Sequence, residues 1–185
     1  MLTHIYPPID YCLTLYFILK TILIIIYFRK EGCIMFIQFK PITLHNRQEV
    51  LSLTIAPWQL GFIESISDCL EEAQTYPCWR PVGIYIDHVL VGFAMYCLWV
   101  EENLSERVWL DRFLIDQRYQ GKGYGKAILP LLIDKIKAEY KCHTIYLSVI
   151  PENTHAIHLY ENLGFRFNGE LDIHEEKVMA LHINP

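Results

Sequence analysis

Positive charge is scarce in this chain. Lys and Arg together number 16 against 21 Asp and Glu, for a formal net charge of −5. That balance lacks the basic footprint demanded by a phosphodiester backbone and argues against a nucleic-acid partner. The six cysteines (Cys12, Cys33, Cys69, Cys78, Cys97 and Cys142) form no C-x-x-C pair and show no metal-ligand spacing. They read as reduced thiols of a cytoplasmic protein. His155 and His158 lie three apart with no matching third ligand, so no metal is expected. No internal repeat or low-complexity linker follows Met35. What remains is one domain by length, with 52% apolar residues among 185 to build its core.

The N-terminus lacks the marks of a secretory signal. Tyr11 to Phe28 is apolar apart from Lys20 and two threonines, no small-residue cleavage site follows, and Arg29 and Lys30 come after the run rather than before it. The run is long enough for a short membrane anchor, which would leave Arg29 and Lys30 on the cytoplasmic side. The alternative is that Met35 is the true start. Arg29-Lys30-Glu31-Gly32 can be encoded by a purine-rich run containing a bacterial ribosome-binding sequence, with Cys33 and Ile34 as the spacer. The expectation is the second alternative, an over-extended gene prediction over residues 1–34, with residues 35–185 as the domain and the anchor kept as the other reading. A membrane association is expected only if residues 11–28 are a real anchor.

The most telling stretch is Asp116 to Lys126, DQRYQGKGYGK, between an apolar run (Val108 to Ile115) and an amphipathic one (Ala127 to Ala138). Strand, glycine turn and helix N-terminus together make a cradle for a pyrophosphate. The loop lacks the Ser or Thr that a Walker loop places after Gly-Lys, since Ala127 follows Lys126. It also lacks the G-x-G-x-x-G spacing of a dinucleotide fold, having Gly121, Gly123 and Gly125 instead. Downstream, Thr144 to Val149 reads as a buried parallel strand. Asn153 then caps a helix with Ala156, Ile157, Leu159, Tyr160 and Leu163 on its apolar face, and Gly164 ends it.

Upstream, Phe36 to Pro41 reads as a strand, and Asn46 to Thr54 and Leu60 to Ala73 as helices. Phe62, Ile63, Ile66, Cys69 and Leu70 form the apolar face of the second helix. Val82 to Ile86 and Leu90 to Leu98 flank a turn at Asp87-His88. A closing hairpin spans Phe165 to Ile173 and Lys177 to His182. The expected architecture is α/β of the α+β type, a mixed central sheet of six to seven strands with helices on both faces.

Gln120-x-x-Gly123-x-Gly125 resembles the acetyl-CoA loop of the GNAT superfamily of N-acetyltransferases, and Asn153…Ala156…Leu159-Tyr160…Gly164-Phe165 resembles that family's second hallmark. Further stretches are similar to bacterial spermine/spermidine acetyltransferases: Phe62-Ile63-Glu64-Ser65, Cys69 to Ala73, Pro81 to Tyr85, Val91 to Tyr96, Val108 to Phe113 and Phe167 to Asp172. The resemblance covers nearly everything after Met35 and departs around Glu101 to Glu106. It implies the GNAT fold, acetyl-CoA as co-substrate, a polyamine as the amine, and a homodimer. An acetyltransferase of another amine (an aminoglycoside or a protein N-terminus) and a non-catalytic acyl-CoA-binding module are the alternatives.

An alkyl ammonium of pKa about 10.4 is only about one part in 10³ free base at pH 7, a handicap of roughly 4–5 kcal/mol. A general base must therefore take its proton. Asp111 is the candidate, because a carboxylate among Trp109, Phe113 and Ile115 on one strand face is costly unless paired or employed. An ion pair with a basic neighbour would account for it equally well. Arg112 is expected on the opposite face in a structural role. The resemblance assigns Tyr160 as the acid that reprotonates the thiolate; otherwise it is an aromatic core residue. It further implies that main-chain groups of Phe113, Leu114 and Ile115 align the acetyl and pantetheine arms. The loop residues Gln120, Gly121, Lys122, Gly123, Tyr124, Gly125 and Lys126 are expected to hold the pyrophosphate, with Asn153 contacting pantetheine or only capping its helix. Asp111, Glu64, Tyr76 and Trp79 are the expected amine-binding groups, because acidic and aromatic walls suit a long polycation.

Overall fold

A computed structural model describes residues 26–30, 33–100 and 105–183, with main chain alone before residue 35. The apolar run at 11–28 lies outside them up to residue 25, as do residues 101–104 of the divergent loop. The chain alternates strands and helices: β1 (Ile26–Lys30), β2 (Cys33–Pro41), α1 (Arg47–Leu51), α2 (Ile66–Thr75), β3 (Arg80–Ile86), β4 (Val89–Val100), β5 (Glu106–Ile115), α3 (Tyr124–Tyr140), β6 (Thr144–Val149), α4 (Thr154–Asn162), β7 (Arg166–Leu171) and β8 (Lys177–His182). The described strands form one eight-stranded sheet in the order β1-β2-β3-β4-β5-β6-β8-β7, one strand more than the upper expectation. The additional strand is β1, which pairs antiparallel with β2, so the expected boundary after residue 34 falls inside a hairpin. Among the described residues, no helix is long and apolar enough to cross a membrane.

The sheet is buried on both faces. On one, Ile128, Leu129, Leu132 and Ile136 of α3 pack with Ile37, Val91, Tyr96 and Leu110, and α4 joins them through Ala156 and Leu159. On the other, Val50 of α1 and Ile66, Cys69 and Leu70 of α2 pack with Tyr85, Phe93, Met95 and Leu114. The β3–β4 turn is fixed by Asp87 and His88, both at positive φ (48° and 71°), the geometry of a tight two-residue hairpin. Asp87 Oδ1 also accepts from the Phe36 N–H at 2.9 Å, tying the turn to β2.

Two helices are shorter or later than the apolar pattern predicts. The first covers only Arg47–Leu51. The second begins after Ser65, whose side chain accepts from the Asp68 N–H, so Phe62, Ile63 and Glu64 precede it in an irregular segment. The capping hydroxyl beats the apolar run as a start signal. Conversely, α3 extends past both predicted ends and carries Pro130 within it.

The central strand departs from simple alternation. Met95 pairs with Arg112 and Tyr96 with Leu110, so Asp111 is the extra residue of a β-bulge. A bulge shifts the side-chain alternation by one. Trp109 and Leu114 therefore pack on the α2 face, while Phe113 and Ile115 pack on the α3 face. The expectation that Trp109, Asp111, Phe113 and Ile115 share a face is corrected accordingly.

On its other edge β5 pairs parallel with β6 at only two positions, Val108 with Ile145 and Trp109 with Tyr146. Beyond them the strands part. Next to this split Gly92 is packed so closely that an added Cβ would lie 2.3 Å from the Leu114 carbonyl oxygen. Gly92→Ala is expected to cost about 2 kcal/mol, or roughly 4–8 °C in Tm for a chain of this size. Gly125→Ala, whose Cβ meets nothing closer than 3.6 Å, should hold or raise Tm. Thermal unfolding followed by circular dichroism checks both, and equal Tm values for the two variants would contradict the packing.

Candidate active site

The split opens into a cavity of about 1390 Å³ running from the glycine loop, past the end of β5, to the face of α2. Fifteen of the sequence-predicted site residues line it: Glu64, Tyr76, Trp79, Asp111, Phe113, Leu114, Ile115, Gln120, Gly121, Gly123, Tyr124, Gly125, Lys126, Asn153 and Tyr160. Lys122 is not among the lining residues; its Nζ lies 5.2 Å from the centroid of the Tyr119 ring.

At one end, Gly121 and Gly123 have φ of +71° and +78°, a backbone that a side chain strains, and open space surrounds both Cα atoms. Gly123 is the N-cap of α3. The first intrahelical bond is from the Ala127 N–H to the Gly123 carbonyl at 3.2 Å, so the N–H groups of Gly125 and Lys126 precede it at the mouth of the cavity. This end fits a diphosphate.

Gln120 does something else. Its N–H turns back to the Gln117 carbonyl at 3.4 Å. Its side-chain Nε2 donates to Gln59 Oε1 at 2.6 Å and to the Ile115 carbonyl at 2.7 Å. The glycine loop is thereby locked to the segment before α2. Asp116, fully buried, strengthens that lock: its Oδ2 accepts from the Thr54 N–H at 3.0 Å, and its Oδ1 accepts from the Arg118 N–H at 2.9 Å. Burial alone would raise the Asp116 pKa, but the bonds from Arg118 and Thr54 outweigh it and hold the carboxyl below its ordinary value.

Midway along the groove stands Tyr160 of α4, edge-on to Phe165 with centroids 5.8 Å apart. Its hydroxyl has no hydrogen-bond partner among the described residues, and burial pushes its pKa up to about 12. It therefore stays protonated at neutral pH. Asn153 caps α4 by accepting from the Ala156 N–H at 3.3 Å, and its amide still lines the cavity.

At the far end, the bulge brings Asp111 and Arg112 together rather than onto opposite faces, correcting the sequence expectation for Arg112. Arg112 Nη1 lies 2.5 Å from Asp111 Oδ2, and Nε lies 2.6 Å from Glu64 Oε2. Glu72 is more distant, 3.9 Å from Nη2. These are charge contacts without hydrogen-bond alignment, because Asp111 Oδ2 and Arg112 Nε both lack an aligned partner among the described residues. Burial pushes the Asp111 carboxyl up to about 6; Arg112 opposes the shift, and Glu72 and Glu64 add to it. For Arg112, burial lowers the pKa, but Asp111 and Glu64 outweigh burial and the net shift is upward. Cys69, beside Arg112 and lining the same wall, is pushed up to about 11 by burial.

Sequence reasoning missed the place of Arg112, Glu72 and Trp99 in this cavity. Glu72 could have been found, since it lies on α2 one turn before Tyr76. The shift at Asp111 is set by how β4 and β5 pair, which no local pattern encodes. Among the described residues, no group of three or more His, Cys, Asp or Glu could hold a metal ion.

The fold has known counterparts. The Vibrio cholerae spermidine N-acetyltransferase, whose structure was solved in complex with CoA and spermine, matches over 80% of this chain and 94% of its own, with a TM-score of 0.59 at 20% identity. An uncharacterised protein of Bacillus halodurans matches over 85% and 90%, with a TM-score of 0.66 at 15% identity. At such identities the likeness is one of fold. In sequence, the chain is 51% identical over 149 residues to the spermine/spermidine N(1)-acetyltransferase of Bacillus subtilis, spanning 79% of this chain and 98% of that protein. Residues 44–165 match the model of the Acetyltransferase (GNAT) family. With that match covering most of its length and meeting the strand split, the glycine-opened helix and Tyr160, the chain belongs to the GNAT family and is an acetyltransferase.

Proposed function

We propose that this chain transfers the acetyl group of acetyl-CoA to a primary amine of a polyamine such as spermidine or spermine. The observation that carries this is the continuity of one cavity, with a glycine-opened cradle at the α3 N-terminus and an acidic, aromatic wall at α2 and β5. The 51% identical Bacillus subtilis relative, which acts on spermine and spermidine by its name, supports the amine.

The chain's residues divide the chemistry. The N–H groups at the start of α3 bind the diphosphate. Main chain of Phe113 to Ile115, freed by the departure of β6, aligns the pantetheine arm and offers N–H groups to the developing oxyanion. Asp111 takes a proton from the substrate ammonium. The free amine then attacks the thioester carbonyl, and the C–S bond breaks as the C–N bond forms. Tyr160 gives its proton to the leaving thiolate and recovers one from the nitrogen, so one proton per turnover leaves through Asp111. A base with a pKa of about 6 is mostly ionised at pH 7, which suits the task.

Cys69, Cys78, Cys97 and Cys142 are free thiols, in keeping with the reducing cytoplasm where we place the enzyme. A homodimer is the proposed assembly; a dodecamer is described for the Vibrio cholerae enzyme.

Release of CoA from acetyl-CoA on addition of spermidine or spermine, read with a thiol reagent, is the decisive assay; none of it would refute the function. Tyr160→Phe should lower kcat by roughly 10²-fold while the Kd for acetyl-CoA changes less than about two-fold. Since protonated Asp111 cannot accept a proton, kcat/KM should fall as pH drops through about 6. Asp111→Asn should remove that limb of the profile along with most of the rate, and a variant that keeps the limb would eliminate Asp111 as the base.

A further inference from the structure

Past Asp111 the cavity continues along β4 to a group of rings that take no part in the proton transfers or in the attack on the thioester. Trp99 of β4 meets Tyr76, the C-cap of α2, edge-on with centroids 6.0 Å apart, and lies 6.1 Å from Trp79. Trp79 is only 9% exposed, and its Nε1 has no acceptor among the described residues, so ring contacts hold it behind Trp99. Glu72 stands one helical turn before Tyr76, which puts carboxylate and ring on one stripe of α2. Glu72, Tyr76 and Trp99 all line the cavity.

The charges around this shelf do not balance. Asp111, Glu64 and Glu72 surround a single guanidinium, and Arg112 approaches the first two closely while leaving Glu72 3.9 Å away. Arg107, opposite Trp99 in the β4–β5 register, is engaged by Glu170 at 2.5 and 3.2 Å, so its charge is compensated there. A half-buried carboxylate beside open aromatic rings is a seat for an alkyl ammonium. Trp99 is three to four residues along β4 from Met95 and Tyr96, which face the bulge. At about 3.3 Å per residue that sets the Trp99 backbone ~10–13 Å along the strand from the bulge, with Glu72 between them beside Arg112, a span that an extended chain of several methylenes bridges.

We propose that Glu72, Tyr76 and Trp99 seat the second ammonium of a polyamine whose first nitrogen reacts beside Asp111. This inference rests on the polyamine function proposed above and adds its selectivity: the enzyme measures the spacing between two cations, favouring long polyamines over monoamines and over diamines too short to reach Trp99.

Steady-state kinetics at saturating acetyl-CoA test it, with spermidine, 1,3-diaminopropane and n-butylamine as substrates. For the unaltered chain, KM for spermidine should be at least about ten-fold below that of either short amine. Trp99→Leu should raise the spermidine KM by roughly three- to thirty-fold, keep kcat within about two-fold, and narrow the gap to n-butylamine. Trp99→Phe, which keeps an aromatic face, should retain most of the low KM. Glu72→Gln should raise the spermidine KM and weaken its dependence on ionic strength, and it decides the matter should Trp99→Leu not fold. An unchanged spermidine KM in the folded variants, or an equal rise for spermidine and n-butylamine, overturns the subsite while leaving the polyamine function standing. A folded chain that binds acetyl-CoA yet acetylates no polyamine overturns the function itself.

Discussion

The departure of β5 from β6 after two paired residues governs everything else in this structure. Each strand is held firmly on its other edge, β5 by nine register pairs with β4 and β6 by six with β8. The sheet can therefore open along this one line without losing either half. Opening it leaves main-chain N–H and C=O groups facing a groove instead of a neighbour, and such groups need partners. A ligand carrying amides along an extended arm supplies them. The α3 N-terminus, delivered to the end of the split by the glycine turn, adds unpaired donors where such a ligand would be most anionic.

The bulge at Asp111 is the second determinant, and it shapes the end of the cavity beside α2. One inserted residue sends Phe113 and Ile115 toward α3 and brings Arg112 round to Asp111. The resulting carboxylate is close to a cation yet remains largely buried and short of aligned hydrogen bonds. Burial wins over the adjacent charge and pushes the carboxyl up to about 6.

Much of this was legible in the residues. The glycine loop, the Asn153 cap, the Gly164 stop (φ +97°) and the Asp87-His88 turn are local signals, and local signals survive into the fold because few residues decide them. The two-faced sheet followed from strands that alternate with helical periods. The failures lie where a decision is shared across distant segments. Phe62 and Ile63 carry a helical apolar pattern, yet Ser65 with Asp68 three residues later fixes the start of α2, a capping signal that the apolar run hid. The bulge depends on β4 as much as on β5, so Arg112 was assigned to the wrong face. Trp99 sits in a continuous apolar strand and gained its place in the cavity only when Tyr76 and Trp79 packed against it.

Cys69 shows what the buried wall of α2 protects against. A thiol lining the chamber of a thioester enzyme is a competing acceptor, able to capture the acyl group by transthioesterification and leave the protein itself modified. Only the thiolate attacks, and with its pKa driven to about 11 by burial roughly one Cys69 in 10⁴ is ionised at pH 7. The desolvation that shelters this sulfur thus closes a wasteful branch of the reaction, and it leaves incoming nitrogen as the nucleophile that the cavity favours.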